Sequence, residues 1–377
     1  MSTAMTIFCH GTKSYSDEVK LKGASRKEYG EEEKELVWVL EKHYQMPSDR
    51  QGHTFNGGKL LLQGVGSLND PTSNRIVQAG DGLQGNTGSS WPVTRLFNMA
   101  CGNGIGRNIE KAITFLEYMV DHNQRPTCIN MVGWSRGGVT CVRLAQALHR
   151  NNKLNGIEVN IFAGDPVPGA FRHDTWGLSK EYAITPNVRR YLQVMAMHVG
   201  GLKGRGFKPL IPAVVAPAVT VAGVLPMPGN HSQVVKAKDS PGEITLDMAI
   251  RFLRICGSEG VRSEFLTFAL TKEDVYRLYQ EISESVSNDD GTYGQPRPSG
   301  IIGAIKSRVS YTRDAAAAGV GAWGYMAPRA VGAGQDGDAY PRYVNDHHHL
   351  IGYLLGKPGG GPIMEPRLRA MLNQMYT

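Results

Sequence analysis

Near the middle of the chain the apolar run Cys128-Ile129-Asn130-Met131-Val132 leads into Gly133-Trp134-Ser135-Arg136-Gly137, and a helical pattern starts near Gly138. No other stretch constrains the fold so tightly. A serine between a strand and a helix, with glycine two places to either side, fits a sharp elbow. There the strand and helix backbones approach so closely that the flanking positions have no room for bulky side chains. The elbow exposes Ser135 Oγ and aims the helix N-terminus at negative charge that develops beside it. Ser135 is therefore the candidate nucleophile, with Gly133 and Gly137 as the glycines the turn requires.

The sequence around the elbow alternates strand-like and helical patterns, as an α/β fold with a largely parallel sheet does. Strands are expected at Met5–Cys9, Lys59–Gln63 (ended by Gly64-Val65-Gly66), Cys128–Val132, Ile157–Ala163 and Arg190–His198. Helices are expected over 31–44, with Leu36, Val37, Val39 and Leu40 on the apolar face, and over 105–121, where Ile105, Ile109, Ile113, Leu116 and Val120 recur at helical spacing. Two more follow near 243–256 and 272–286, the second opened by Thr271 with Asp274 three residues on, close to a capping box. Glycine is in excess, 46 of 377 residues, about 12% against a usual ~7%. Much of it falls in long segments without periodicity at 67–100, 199–230 and 287–340. The expected architecture is a mostly parallel sheet flanked by helices. A catalytic core spans 1–235, with 67–100 and 199–230 as insertions. Residues 236–377 form a helical and Gly/Pro-rich elaboration packed on it.

Several function classes drop out. The five cysteines (Cys9, Cys101, Cys128, Cys141 and Cys256) are odd in number, scattered and free of any C-x-x-C pair, so they read as reduced, mostly buried thiols. No apolar run reaches the ~18 residues of a membrane span. Residues 1–9 lack the pattern of a cleaved secretory signal, so synthesis in the cytoplasm is expected, and any export by a leaderless route. The net charge of +7 is dispersed rather than clustered; it favours an anionic membrane surface, and no nucleic acid is expected as a partner. Gly102-Asn103-Gly104-Ile105-Gly106 lacks the third spaced glycine of a dinucleotide fingerprint and reads as a helix-entry loop. Asp289-Asp290 and Asp336-Gly337-Asp338 are too short for a calcium loop. Neither a metal nor a cofactor is expected.

A nucleophilic serine needs a base, and the base an orienting acid. The strand after the elbow runs into Gly164-Asp165-Pro166-Val167-Pro168-Gly169, which puts Asp165 at the strand's C-terminal end, the edge where ligands bind. Its alternative is an Asx-turn residue. His231, in Leu225-Pro226-Met227-Pro228-Gly229-Asn230-His231-Ser232, follows the last strand in a Pro/Gly-rich loop and is the candidate base. The rivals are His198 and the run His347, His348 and His349, which also reads as a helix face packed on the core. For the oxyanion hole, Phe8-Cys9-His10-Gly11-Thr12 supplies an early strand followed by His-Gly, so the backbone N–H groups of Thr12 and Arg136 are the expected donors.

In this order, Gly64-Val65-Gly66, Gly102-x-Gly104 with Asn108-Ile109, Gly133-Trp134-Ser135-Arg136-Gly137, Gly164-Asp165-Pro166-Val167 and Pro228-Gly229-Asn230-His231-Ser232 resemble the bacterial and fungal α/β-hydrolase domain family that includes the type VI secretion lipase effectors. The likeness covers roughly 5–235. It departs at His10-Gly11-Thr12, where many members have Asp-Gly-Thr, and at Gln233-Val234-Val235, which replaces a glycine pair. The resemblance implies a phospholipase-type serine esterase in the role of an antibacterial or host-directed effector, with an immunity or adaptor protein as candidate partner. Val214–Leu225 then has two readings, a lid that lies on lipid or a buried hairpin. Two other functions stay open: a soluble ester or thioester hydrolase or acyltransferase on the same triad, and a non-catalytic binding protein.

Overall fold

In the computed structural model the described residues are 4–11, 34–44, 58–62, 64, 84–85, 105–168, 182–196, 210, 212–227, 231–258, 260–261, 270–271, 273–275, 277–278, 329–330, 341–342 and 366–377. Strands β1 (Ala4–Cys9), β2 (Lys59–Leu62), β3 (Gln84–Gly85), β4 (Cys128–Trp134), β5 (Glu158–Gly164), β6 (Val188–Ala196) and β7 (Val221–Met227) form one sheet in the order β3-β2-β1-β4-β5-β6-β7. Every neighbouring pair is parallel, and β3 is a two-residue strand at the edge. The chain is therefore an α/β protein.

A parallel sheet is buried on both faces, which is why its strands read as nearly continuous apolar runs. On one face α2 (Ile105–Asp121) and α3 (Arg136–Arg150) cover Ile7, Leu62, Met131 and Ile161. On the other, α1 (Leu36–His43), α4 (Ser240–Ile255) and α5 (Pro366–Tyr376) cover Phe8, Leu61, Val132, Phe162 and Leu225. Helix α1 starts at Leu36, where its apolar positions begin and later than the expected 31, and the Glu35 carboxylate folds back to accept the Val37 and Trp38 N–H groups as its N-cap. At 271–274 the expected capping box is present: Thr271 Oγ1 accepts the Asp274 N–H at 3.0 Å and Asp274 Oδ2 accepts the Thr271 N–H at 3.1 Å. A separate two-stranded antiparallel pair, β8 (Arg329–Ala330) and β9 (Pro341–Arg342), has no counterpart in the sequence reading.

Across this apolar sheet runs one polar row. Lys59, Thr6, Asn130, Asn160 and Arg190 stand in register on adjacent strands. Asn160 Nδ2 donates to Asn130 Oδ1 at 2.9 Å, Asn130 Nδ2 donates to Ser258 Oγ at 2.8 Å, and Thr6 Oγ1 meets Tyr44 OH at 2.9 Å. A one-residue slip of β1, β4 or β5 would strand these groups in the apolar layer, so the row fixes the register of the central strands.

Neither reading of Val214–Leu225 holds. Val221–Met227 is β7, parallel to β6, and Val214 bridges Ile184 ahead of β6. Residues that lead into a parallel strand lie at the end where its neighbours also begin, so 214–220 sits at the end of the sheet opposite Ser135. It is neither a lid over the serine nor a hairpin. Among the described residues no helix is long and apolar enough to cross a membrane.

The C-terminal helix is tied in by Arg251 of α4, whose guanidinium donates to Asp247 Oδ1 (2.8 Å), Leu270 O (2.5 Å) and Met375 O (3.0 Å). Burial raises the Asp247 carboxyl's pKa even with this partner beside it. Leu368 of α5 is fully buried, in a position where a Cβ on Gly223 of β7 would fall 2.9 Å from it. Leu368→Ala should lower unfolding free energy by about 2–4 kcal/mol, read from urea denaturation; a loss under about 1 kcal/mol would mean that α5 adds little to this core.

Candidate active site

The sheet order reverses between β1 and β4, and at such a switch point the loops leaving the strands diverge and open a crevice. Ser135 sits there, between the last residue of β4 and the first of α3. Its backbone has φ 54° and ψ −125°, a region that costs a non-glycine residue roughly 1–3 kcal/mol. The surroundings hold it: the Ser135 N–H donates to Gly164 O at 3.0 Å, and Ser135 O accepts the Val167 N–H at 3.2 Å. Both elbow glycines have the role the sequence suggested. A Cβ on Gly133 would lie 2.5 Å from the Gly137 carbonyl, and one on Gly137 would collide with Cys9 O and come within 2.7 Å of His10 O.

Asp165 leaves the end of β5 with φ 34° and is fully buried. Its N–H donates to Val194 O at 2.6 Å, while its Oδ1 accepts the Ala196 N–H at 3.1 Å, so β6 anchors both backbone and side chain. The other oxygen, Oδ2, lies 2.6 Å from His231 Nδ1, and His231 Nε2 lies 3.0 Å from Ser135 Oγ. A carboxylate can only accept, so Nδ1 carries the ring proton and Nε2 presents its lone pair to the serine hydroxyl. The three residues chosen from the sequence, Ser135, Asp165 and His231, form one hydrogen-bonded chain. His231 is 8% exposed and Ser135 4%, so the chain is largely screened from solvent.

Such an arrangement can draw a proton from Oγ as Oγ attacks a carbonyl, because the imidazolium that forms faces a buried carboxylate. Three thiols do not compete. Burial raises Cys128 to about 11 and Cys256 to about 12, and burial together with the Cys9 thiol raises Cys141 well above the ordinary range, so none of these three supplies a thiolate near neutrality. Among the described residues no group of three His, Cys, Asp or Glu side chains is placed to hold a metal ion.

Arg136 is the first residue of α3, where a helix leaves its N–H groups without intrahelical acceptors. The other expected oxyanion donor, Thr12, lies outside the described residues, as do His198, His347, His348 and His349. Two contributors escaped the sequence reading. The Ala196 N–H that orients Asp165 is a backbone group with no residue signature. Trp134 packs against His231 with ring centroids 5.4 Å apart and ring planes tilted by 41°, and Gly11 packs so closely on its indole that a Cβ there would run into the ring. Trp134 was visible inside the pentapeptide, but nothing in the sequence told which way it faced.

Gly137→Ala should displace the elbow, abolish any chemistry at Ser135 and cost about 2–3 kcal/mol of stability. Gly106→Ala on α2, where a Cβ meets nothing within 4 Å, should instead be neutral or gain up to about 1 kcal/mol. Thermal melts of the two variants separate these outcomes; equal melting temperatures would sink the packing argument.

Comparison with known proteins places the chain in no named family. No protein-family model matches it, and no curated protein matches it. A crystal structure of an uncharacterized protein from Pseudomonas aeruginosa is similar over 82% of this chain and 53% of that one, at 13% sequence identity and a TM-score of 0.38. The chain thus spans about half the length of that protein.

Proposed function

We propose that this protein is a serine hydrolase of carboxylic esters with an α/β-hydrolase type of site. The observation that carries this reading is the continuous chain from Ser135 Oγ through His231 to Asp165, at 3.0 and 2.6 Å, on an elbow with a strained backbone at the serine. The order Ser, Asp, His along the chain supports it as well. His231 takes the Ser135 proton as Oγ adds to the ester carbonyl. Asp165 holds the imidazole tautomer and stabilises the imidazolium. The Arg136 N–H, with a second donor from the loop after β1, receives the oxyanion. His231 then returns its proton to the leaving alcohol, and a water activated by the same nitrogen releases the acyl group.

Within that class, the substrate is a phospholipid ester, as the resemblance to the lipase effectors suggests, and the +7 charge favours an anionic bilayer. A leaderless exported effector with an immunity or adaptor partner belongs to the same reading. The 214–220 segment contributes nothing to it, since it lies at the far end of the sheet.

A fluorophosphonate probe should label the wild type and spare Ser135→Ala; failure to label folded wild-type protein would leave a binding protein in place of an enzyme. Asp165→Asn, which keeps the shape but spoils the tautomer, should lower turnover about 10⁴-fold with the fold intact by circular dichroism. Anionic phospholipid vesicles should be cleaved faster than short soluble esters, and the reverse preference would remove the lipid assignment while keeping the hydrolase.

A further inference from the structure

On the far side of the elbow lies a second buried imidazole that the triad does not use. His10 follows β1, is 2% exposed, and neither of its ring nitrogens has a hydrogen-bond partner among the described residues. Leaving such groups unsatisfied is costly, so the arrangement calls for an explanation. The group nearest to hand is Glu35, whose Oε2 stands 3.4 Å from His10 Nδ1, with both side chains fully buried. That carboxylate is already rigid, because Oε1 accepts the Val37 N–H at 2.7 Å and Oε2 the Trp38 N–H at 3.2 Å.

The surroundings of this pair all bear on the site. His10 O lies against Gly137 in the first turn of α3, and the next residue, Gly11, lies against the Trp134 indole that packs against His231. On the other side, Glu35 forms an antiparallel bridge with Lys236, and the Ala237 N–H donates to Lys34 O at 2.9 Å. Glu35 therefore stands between the segment that leaves β1 and the segment that carries His231. Hydrogen bonds that serve a reaction are often long in the free enzyme and tighten only as the transition state forms.

We propose that His10 and Glu35 are positioning residues for the reaction at Ser135: the Nδ1–H of His10 closes onto Glu35 Oε2 as the chain after β1 takes up the substrate oxyanion. This rests on the hydrolase reading above. An interaction completed only in the transition state lowers kcat when it is lost and leaves KM alone.

The test uses p-nitrophenyl butyrate hydrolysis by the full chain, with kcat and KM measured separately and folding followed by thermal melting. His10→Leu should lower kcat about 10- to 100-fold, less than the loss of a direct oxyanion donor, with KM within about threefold. His10→Asn, whose amide nitrogen falls near the position of Nδ1, should recover at least about tenfold of that loss, which a merely space-filling role for His10 would not explain. Glu35→Gln, which retains an oxygen to cap α1, should show the same kcat deficit and is the deciding variant if His10→Leu does not fold. Equal kcat in the Leu and Asn variants, or a raised KM at unchanged kcat, overturns the proposal while wild-type turnover upholds the hydrolase. Wild-type protein that neither turns over the ester nor takes a fluorophosphonate label overturns both.

Discussion

The first turn of α3 rests on the carbonyl groups that end β1, and the site depends on that approach. It is possible only because Gly137 has no Cβ to set against Cys9 O. The approach draws the helix N-terminus into the crevice between β1 and β4 and forces Ser135 into a conformation that an isolated chain would seldom visit. The strain is small beside the apolar area buried by α2 and α3 on the sheet, so packing offsets it. In this structure the elbow geometry is a consequence of close packing around glycine, and the side chain of Ser135 only completes it.

Parallel pairing does the rest of the assembly. Because all strands run the same way, the residues after β4, β5 and β7 emerge at one edge, and Ser135, Asp165 and His231 meet there from positions 96 residues apart along the chain. The carboxylate is held from the neighbouring strand by the Ala196 N–H, so its orientation depends on the β5–β6 register. The neighbouring β4–β5 register, which sets Ser135 against Asp165, is guarded by the Asn130–Asn160 hydrogen bond near the opposite end of the strands. Sheet alignment and site geometry are thus one problem, solved by a few hydrogen bonds in an otherwise apolar layer.

Some elements could be read directly. The pentapeptide at 133–137, the period of α2 and the Thr271–Asp274 cap are local patterns, and local physics gives them their meaning. The position of α1 was legible but its first residue was not, since Glu35 reads as one more acidic residue until its carboxylate is seen folded onto Val37 and Trp38. Val214–Leu225 misled for a related reason. Its composition suits an exposed lipid-facing lid and a buried hairpin alike, and only pairing with β6 shows that its second half belongs to the last strand of the parallel sheet. Helix α5 left no strong signal because its partner surfaces, Gly223 and Arg251, lie more than 110 residues earlier.

Residue order and periodicity carry the alternating α/β layout and the strand–turn–helix at Ser135, because both are patterns of residues close together in the chain, whereas Asp165 and His231 stand only as candidates with named alternatives. The assembled fold sets which hydrogen bonds those residues make, where Trp134, Glu35 and His10 stand around them, and that 214–220 lies at the end of the sheet away from the serine. These relations depend on contacts between distant segments, and a contact between segments acquires a distance and a direction only when the whole sheet has closed.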